Sequence, residues 1–407
     1  MEPHPIDLTK RYGLPMQPVS LEPNISPEYF ERERDVIFRH AWLNVGRTHD
    51  IPNIGDYLVK EMHILRTSVL VVRGRDGQIR AFHNMCRHRG NKLCATGSES
   101  GNARGFSCAF HGWTYDPEGQ LVIVPDEDQF FNLEKKDLGL TQFSVGIWEG
   151  FIFINAAPKE SLRDWLGEMY DRFDGYFDNP DLKRISCYRA DVRVNWKVVL
   201  DAFVEAYHAP FLHGKAYPDQ ISWEGNRLAH LLGAEMFERH RVLSIEGNPS
   251  HNPSPIEKEL LKHSNDVFTL LTRPGDEFAN LPRGINPTRD KNWAFDINVI
   301  FPNFYLAAMT VMPLVSYHFW PVAVDRTIWQ TDHYMLAPKH AGDLLAQQYS
   351  KVFARDVQRE DLITLENTQS MLASGAMKEM VLSDQEVAVR HGYQVVEDML
   401  KSGGDHA

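Results

Sequence analysis

Four residues whose types and spacing suit metal chemistry lie close together in this 407-residue chain. Cys86 and His88 are separated by one residue, and Cys108 and His111 are separated by two. Together they form the donor set of a [2Fe–2S] cluster in which two cysteines bind one iron and two histidines bind the other. Because neutral imidazoles replace two thiolates, such a cluster has a raised potential and passes electrons to a stronger oxidant.

Structural zinc is the alternative occupant, since it accepts the same ligand types. Zinc sites built from two loops usually use Cys-x₂₋₄-Cys or His-x₃₋₅-His pairs, so the mixed pairs found here favour the cluster. Cys94 lies in the same segment as Cys86, and we interpret it as a small buried hydrophobe rather than a ligand. Cys187 stands alone in the sequence and is predicted to be inert.

A second metal site is indicated by His208 and His213. Residues five apart do not share a face of one straight helix, but Pro210 breaks a helix after His208 and lets His213 fold back. Two imidazoles and one carboxylate from elsewhere form the facial triad of non-haem Fe(II) oxygenases, which leaves positions for O₂. Without the upstream cysteine–histidine pairs, this spacing alone would be a weak signal.

The residues that flank both sites resemble one family. Residues 86–115 read Cys-x-His-Arg-Gly … Cys-x-x-His-Gly-Trp-x-Tyr, which resembles the Rieske signature of ring-hydroxylating and related non-haem iron oxygenases. Residues 195–213 read Asn-Trp-Lys … Glu-x-Tyr-His-x₄-His, which is similar to the catalytic-iron motif of the same family. The resemblance extends from about residue 40 to 370. The family usually has Pro-Tyr where this chain has Ala109 and Phe110, a change that keeps the ligands but alters the surroundings of the sulfurs.

The resemblance also implies the third ligand of the second metal. The family has an Asp followed by Glu and Gln, and residues 360–369 match that pattern, which makes Asp361 the predicted ligand. Asp356 and Glu360 are the competing carboxylates nearby. In the absence of the two histidines, an acidic run of this kind would be interpreted as a solvated helix face.

Two acidic residues upstream of His208 are predicted to serve electron transfer. Glu205 lies one helical turn before His208, where its carboxylate can accept the ring N–H of a metal-bound imidazole. The resemblance implies that this carboxylate bridges to a cluster histidine of the next subunit, here His111, although Asp is the more frequent residue in the family. Asp201, on the same face, is a second candidate, with an ordinary helix acid as the alternative.

The pattern of elements predicts an α+β protein with two domains. Residues 1–40 are predicted to form an N-terminal arm and a helix that packs on the catalytic domain. Residues 41–157, which contain the hairpin turn Arg75-Asp76-Gly77, are predicted to form a small all-β Rieske domain. Residues 158–407 are predicted to form a catalytic domain with a helix-grip fold, an antiparallel sheet with a long C-terminal helix.

Local patterns set the expected bounds within the catalytic domain. Helices are predicted at 161–176, 196–208, 340–373 and 384–400. Strands are predicted at 187–196, 293–300, 304–312 and 327–336. Apolar residues of this domain could line a substrate pocket, although ordinary core packing is the simpler interpretation of each one: Phe203, Trp223, Met236, Phe304, Leu306, Met309, Met312 and Trp329.

Composition excludes several classes of protein. A net charge of −12 disfavours nucleic acid and anionic membranes as partners. No stretch approaches eighteen apolar residues, and the first twelve residues show no apolar segment of a signal peptide. Four cysteines in a chain of this size suit a reducing compartment, so a cytoplasmic protein is expected.

The resemblance implies the terminal oxygenase component, or α subunit, of a multicomponent Rieske oxygenase. Its cofactors would be the [2Fe–2S] cluster, a mononuclear Fe(II) and O₂, with electrons from NAD(P)H through a reductase and, in some systems, a ferredoxin. A homotrimer is expected, with or without a small β subunit. The preferred substrate is an aromatic or otherwise hydrophobic small molecule, as in aromatic hydrocarbon catabolism, taken by mono- or dioxygenation.

Three alternatives stay open from the sequence. The first is an O- or N-demethylating or quaternary-ammonium monooxygenase of the same family, because hydroxylation of a methyl group on oxygen or nitrogen leads to its loss. The second is a Rieske electron-transfer protein without oxygenase activity. The third is a binding module that is held together by zinc.

Overall fold

The structure is a computed structural model, and it describes residues 7–95, 99–216, 219–263, 281–309 and 314–404. The chain divides into two compact units. One is formed by Phe38–Trp165, and the other combines the described parts of Met1–Ile37 and Leu166–Ala407. We call them the β unit and the catalytic unit.

The strands and helices of the described residues are numbered in chain order. The strands are β1 (Val19–Ser20), β2 (Leu43–Arg47), β3 (Asp56–Met62), β4 (Thr67–Arg73), β5 (Ile79–His83), β6 (Ser100–Asn102), β7 (Phe106–Ser107), β8 (Thr114–Tyr115), β9 (Leu121–Ile123), β10 (Gln142–Trp148), β11 (Phe151–Asn155), β12 (Leu182–Val192), β13 (Leu231–Met236), β14 (Arg241–Glu246), β15 (Trp293–Ile300), β16 (Phe304–Met309), β17 (Leu314–Ala323), β18 (Arg326–Leu336) and β19 (Glu379–Met380). The α-helices are α1 (Leu8–Arg11), α2 (Glu22–Ile25), α3 (Pro27–Arg32), α4 (Leu162–Leu166), α5 (Trp196–Asp201), α6 (Ala209–Leu212), α7 (Pro255–His263), α8 (Ala341–Leu372) and α9 (Val387–Gly404).

Two antiparallel sheets build the β unit. The larger has the strand order β2-β11-β10-β5-β4-β3-β6, and the smaller has the order β7-β8-β9. Strand β4 is buried over Ser68–Val72 because it runs through the middle of the larger sheet and is covered on both faces. The predicted hairpin is present between β4 and β5, with Gly77 at a positive φ of 79°. The loops after β5 and β7 carry the cysteine–histidine pairs.

The catalytic unit is built on a seven-stranded antiparallel sheet with the order β12-β18-β17-β16-β15-β14-β13. Helix α8 lies against this sheet, where the Tyr188 hydroxyl donates to the Lys351 carbonyl (2.8 Å) and Gln347 donates to the Leu336 carbonyl (2.7 Å). Asn195 caps α5 by accepting from the Lys197 N–H, and the side chain of Trp196 fills the core behind it. The predicted α+β fold with a helix-grip domain is confirmed.

Several predicted bounds are wrong. The helix predicted within residues 1–40 begins at its Ser26 cap as α3, which passes into a π-helix over Glu33–Phe38. The helix predicted over 161–176 is only α4, and the helix predicted over 196–208 ends at Asp201. Strands β13, β14 and β17 were not predicted. None of the described helices is both long and apolar enough to cross a membrane.

Candidate metal centres and the cavity beside them

The two ligand loops of the β unit repeat one turn. The carbonyl of Cys86 accepts from the Gly90 N–H (3.0 Å), and the carbonyl of Cys108 accepts from the Gly112 N–H (2.9 Å). Both glycines have positive φ values, 77° and 74°, a conformation that side chains with a Cβ rarely adopt. Each loop therefore presents its cysteine and its histidine from the same backbone geometry.

The histidine rings of the two loops lie against each other. Cys86 and Cys108 are buried free thiols, and the rings of His88 and His111 lie with their centroids 4.6 Å apart. The His88 ring also stacks on Trp113, with centroids 4.8 Å apart and planes 9° from parallel. These contacts hold the two imidazoles beside each other.

One unpartnered nitrogen and the polar neighbours of both sulfurs fit a metal cluster at these two loops. Nδ1 of His88 is buried and has no hydrogen-bond partner among the described residues, as expected for a ligand atom. The Tyr115 hydroxyl lies 3.6 Å from Cys86 Sγ, and Asn91 donates to Cys108 Sγ at 3.6 Å. Such donors stabilise sulfur that carries negative charge. Four donors, two of them thiols with polar partners, suit the cluster predicted from the sequence.

Cys94 belongs to the buried apolar cluster that also contains Cys86 and Cys108. Its backbone N–H donates to Asn84, whose side-chain amide donates to the Cys94 carbonyl. Burial raises the pKa of the Cys94 thiol to about 11, so it remains protonated. The interpretation of Cys94 as a buried hydrophobe agrees with this environment.

The second candidate centre is formed by His208, His213 and Asp361. The two Nε2 atoms lie 3.2 Å apart, and Asp361 Oδ1 lies 3.3 Å from His213 Nε2 and 3.8 Å from His208 Nε2. Ligand atoms that share one ion through bonds of about 2.1 Å lie about 3 Å from one another. Neither oxygen of the buried Asp361 carboxylate has a hydrogen-bond partner among the described residues, so an ion would satisfy both.

Two further carboxylates orient the imidazoles. Glu205 pairs with Nδ1 of His208, and Glu360 accepts from Nδ1 of His213 at 2.9 Å. Each carboxylate fixes the proton on Nδ1 and leaves Nε2 as the ligand atom. Glu360 therefore orients His213 and does not occupy a ligand position itself. The competing Asp356 pairs with Arg355 on the exposed face of α8.

The chain brings the histidines together by ending one helix and starting another. Helix α5 ends at Asp201, and His208 and His213 stand at the two ends of the one-turn helix α6. Pro210 occupies the first turn of α6, where its missing N–H costs no hydrogen bond. The prediction that Pro210 ends a helix at His208 is wrong, because Pro210 instead lies in the first turn of a new one. Asp361 comes from the middle of α8.

Asp201 does not contact the histidines. Its Oδ2 accepts from the Tyr393 hydroxyl at 2.9 Å, and burial raises its pKa to about 7. The structure corrects the suggestion that Asp201 belongs to the network of His208. The reason is that α5 ends at Asp201, so the chain turns between Asp201 and Glu205 and the two do not share a helix face.

A cavity of about 560 Å³ opens onto the triad. Of the predicted pocket residues, Phe203 and Met309 line it. Phe304 and Leu306 do not, because alternate residues of β16 face opposite sides and Tyr305 is the one that reaches the cavity.

The other predicted pocket residues also lie elsewhere. Trp329 packs behind Phe203, with ring centroids 4.9 Å apart, and is not part of the wall. Trp223 forms a bridge with Asn226, and Met236 pairs with Arg241 across β13 and β14. Met312 lies outside the described residues.

Several cavity residues had no signal in the sequence. The wall includes aromatic side chains and a smaller polar group that only the fold brings together: Trp293, Phe295, Tyr305, Tyr317, Tyr349, Phe353, His251, Glu257 and His333. Burial and the nearby Asp361 charge raise the pKa of Tyr317, so its phenol stays protonated. Burial lowers the pKa of His333 to about 4, so its imidazole is neutral. In β15, the alternate residues Trp293, Phe295 and Ile297 all line the cavity, and this alternation is the pattern that could have indicated the wall.

Comparisons with known proteins agree with both centres. The sequence profile of the ring hydroxylating alpha subunit (catalytic domain) family matches residues 179–402, and that of the Rieske [2Fe-2S] domain matches residues 41–143. The chain belongs to the family of ring-hydroxylating oxygenase alpha subunits, as its motifs predict.

Curated relatives of this chain include dioxygenases and monooxygenases. It is 36% identical over 197 residues to the biphenyl 2,3-dioxygenase subunit alpha of Rhodococcus jostii (strain RHA1), which covers 46% of this chain and 42% of that protein. It is 33% identical over 196 residues to the glycine betaine monooxygenase oxygenase subunit of Pseudomonas aeruginosa (strain UCBPP-PA14), with 48% and 44% covered. The matches thus span less than half of these relatives.

Solved structures share the fold over nearly the whole chain. A quaternary ammonium Rieske monooxygenase in complex with γ-butyrobetaine is 20% identical, with a TM-score of 0.71 and 98% of this chain and 99% of that chain covered. Naphthalene 1,2-dioxygenase from Rhodococcus sp., bound to indole, is 23% identical, with a TM-score of 0.73 and 94% of both chains covered.

Proposed function

We propose that this chain is the terminal oxygenase component of a multicomponent Rieske oxygenase that hydroxylates a hydrophobic small molecule. The observation that carries the proposal is the triad of His208, His213 and Asp361 at the wall of a cavity of about 560 Å³ with largely aromatic sides. A cavity of this size suits a small organic substrate. Electrons would come from NAD(P)H through a reductase, directly or through a ferredoxin.

The cysteines and histidines of the β unit would hold the [2Fe–2S] cluster, and the triad would hold Fe(II). When bound, these groups supply single electrons and a centre at which O₂ is activated. Glu205 and Glu360 hold the protons on the two Nδ1 atoms and keep both Nε2 atoms directed at one point. The aromatic walls exclude water and place the substrate beside that point.

We further propose that Glu205 of one subunit and His111 of the next connect the two centres in a closed ring, a homotrimer. Exposed aromatic side chains beside each centre support this arrangement: Phe110 is 56% exposed next to His111, and Phe211 is 72% exposed next to His208. Large exposed apolar groups of this kind mark surfaces that a partner covers. A small β subunit would be an addition to this ring.

Mixing two inactive variants tests the ring. Asp361→Ala chains keep the cluster, and Cys108→Ser chains keep the triad. If electrons cross between subunits, co-expression of equal amounts restores about a quarter of wild-type turnover, since about one interface in four joins an intact donor to an intact acceptor. Turnover that stays at the level of the separate variants would contradict transfer between subunits.

The activity itself is tested with a reductase, NADH, ¹⁸O₂ and a panel of small aromatic compounds. Incorporation of ¹⁸O into a product, lost in Asp361→Ala, supports the oxygenase. Reduction of the chain by NADH without any labelled product across the panel favours a Rieske electron-transfer protein.

A second candidate is an N- or O-demethylating or quaternary-ammonium monooxygenase. It is favoured by the ring faces of Phe203, Tyr305 and Tyr317, which could hold a cation in the cavity through cation–π contacts. A glycine betaine monooxygenase among the relatives also supports this candidate. Release of formaldehyde from a methylated amine distinguishes it, because ring hydroxylation releases none.

A further inference from the structure

The cavity has a polar group at one end that the triad does not use. It consists of Asp219, His251, Glu257 and Tyr349, and the last three line the cavity. His251 Nδ1 lies 2.5 Å from Asp219 Oδ1, and the Tyr349 hydroxyl donates to Glu257 Oε1 at 3.3 Å. The other oxygen, Glu257 Oε2, accepts from the backbone N–H of Ser254 at 2.7 Å. We call this group the distal cluster.

The distance between the distal cluster and the triad can be estimated along helix α8. Tyr349 and Asp361 both lie on α8, both line the cavity and are twelve residues apart. At a helical rise of about 1.5 Å per residue, their backbones are about 18 Å apart. Four positions between them also face the cavity: Ser350, Phe353, Ala354 and Val357. The cavity therefore runs along α8, with the triad at one end and the distal cluster at the other.

Among the described residues, one nitrogen of the distal cluster, His251 Nε2, has no hydrogen-bond donor. Where the Asp219 carboxylate accepts the Nδ1 proton of His251, the other ring nitrogen, Nε2, is the acceptor of that tautomer. This Nε2 is buried and has no hydrogen-bond partner among the described residues, and the side chain of His251 is only 7% exposed. A buried polar atom without a partner is destabilising, typically by about 1–3 kcal/mol for a group of this kind.

Glu257 stands beside this unpartnered nitrogen. Its Oε2 lies 4.0 Å from His251 Nε2, which is too long for a direct hydrogen bond, and its side chain is 8% exposed. For a nitrogen about 2.8 Å from both atoms, the Oε2···N···Nε2 angle would be about 90°. Two N–H bonds of one ammonium group can approach this angle. The carboxylates of Asp219 and Glu257 also give this end of the cavity negative charge. Lys291, which lines the cavity, is exposed to solvent.

We propose that His251 Nε2 and Glu257 form a second binding subsite, which receives a protonated amine at the end of an elongated substrate while the carbon to be oxidised lies at the triad. This proposal rests on the proposed function, since it names the substrate class of the same cavity. The apolar stretch of α8 between the two ends would contact the body of the substrate. An N–H donor is required as well as a positive charge, because both partners in the subsite are acceptors.

Calorimetric binding to the intact holoenzyme under argon tests the subsite without turnover. The probe is 6-phenylhexylamine, compared with its trimethylammonium counterpart, which keeps the charge but has no N–H, and with 6-phenylhexanoate, which reverses the charge. We expect the amine to bind at least about tenfold more tightly than either, the effect of one hydrogen bond to a charged group. Equal affinities for the amine and either comparison compound would overturn the proposal.

Variants localise the effect. Glu257→Gln should weaken binding of the amine about tenfold. Its affinity for 6-phenylhexanoate should stay the same or increase. Glu259→Gln is the matched control, because Glu259 lies on the same helix α7, pairs with Lys262 and is exposed. Loss of amine affinity in the control and not in Glu257→Gln would also overturn the proposal. Since the wild-type comparison needs no variant, the test does not depend on the folding of Glu257→Gln.

The two proposals fail in different ways. A chain that binds the amine selectively but incorporates no oxygen into any compound contradicts the proposed function and leaves the subsite intact. A chain that hydroxylates aromatic compounds but binds the three probes equally contradicts the subsite alone.

Discussion

The two metal-binding regions of this chain are assembled in opposite ways. In the β unit, four ligands lie within residues 86–111, on two loops that repeat one turn closed by a glycine of positive φ. In the catalytic unit, the ligands extend over residues 208–361 and come from the short helix α6 and from α8. Local backbone geometry therefore positions the ligands of the β unit, whereas tertiary packing positions those of the catalytic unit.

The surroundings of the ligands differ as well. The cysteine sulfurs have polar partners in Tyr115 and Asn91. The Asp361 carboxylate has none among the described residues, and its two histidine neighbours are fixed from behind by Glu205 and Glu360. We therefore expect substitutions away from the ligands to affect the cluster site little. The triad, in contrast, depends on Glu205 and Glu360, which are not metal ligands themselves.

The largest effect is expected from Asp361→Ala. Removal of the one carboxylate ligand should abolish the mononuclear site and reduce turnover by about 1000-fold or more, as losses of groups that act as a unit do. The cluster should still be reduced by its donor, as followed by its visible absorbance. Asp356→Ala is the control on the same helix, since Asp356 pairs with Arg355 on an exposed face and should keep wild-type turnover. Loss of the cluster in Asp361→Ala would contradict the independence of the two sites.

Glu205→Gln is expected to have the next largest effect. The amide keeps the shape of the side chain but cannot accept the Nδ1 proton of His208 as strongly, so turnover should fall by about 100-fold. Because this change can also weaken iron binding, the variant should be assayed after reconstitution with excess Fe(II) to wild-type iron content, so that the remaining loss of turnover reports electron delivery. An unchanged rate of cluster reoxidation in stopped-flow measurements with substrate and O₂ would contradict the role of Glu205.

Glu360→Gln should weaken the triad without removing it. Because Glu360 accepts from Nδ1 of His213 at 2.9 Å, its loss should reduce metal affinity by about 10- to 100-fold. Dialysis against a chelator, followed by iron quantitation, measures the change. Glu366→Gln provides the comparison on α8, since Glu366 contacts Arg193 and not a ligand; equal iron loss from both variants would argue against a specific role.

The smallest effects are expected at the two loop glycines. A Cβ at Gly90 would meet only Met85 Sδ, at 4.0 Å, whereas a Cβ at Gly112 would lie 3.0 Å from Pro125. Gly90→Ala should therefore cost about 1 kcal/mol of unfolding free energy from its positive φ alone, and Gly112→Ala should cost more. Thermal unfolding of both variants checks the order, and the reverse order would contradict the greater crowding at Gly112.

The predicted cluster site follows from the sequence with few alternatives because its information is local. Cys86 and His88 are neighbours along the chain, and so are Cys108 and His111, so their spacing alone indicates shared ligation. Spacing also indicated His208 and His213. The choice of Asp361 over Asp356 and Glu360 needed the family pattern, because three acidic residues on one helix differ only in which face meets the sheet.

The cavity could not be predicted from the sequence to the same degree. Phe304 and Leu306 are as apolar as Tyr305 and Met309, and only the register of β16 decides which pair faces the cavity. His251 and Glu257 lie on a loop and on a short helix whose positions relative to α8 depend on tertiary contacts. Apolar composition identifies candidates for a core, but it does not identify the face that borders a cavity.

Iron quantitation on three chains tests most directly the claim that one chain carries two independent iron sites. Purified anaerobically and reconstituted, the wild type should hold about three irons per chain, Asp361→Ala about two and Cys86→Ala about one. The red-brown absorbance of the cluster should survive in Asp361→Ala and disappear in Cys86→Ala. A wild-type content of about two irons that Asp361→Ala leaves unchanged would contradict the account.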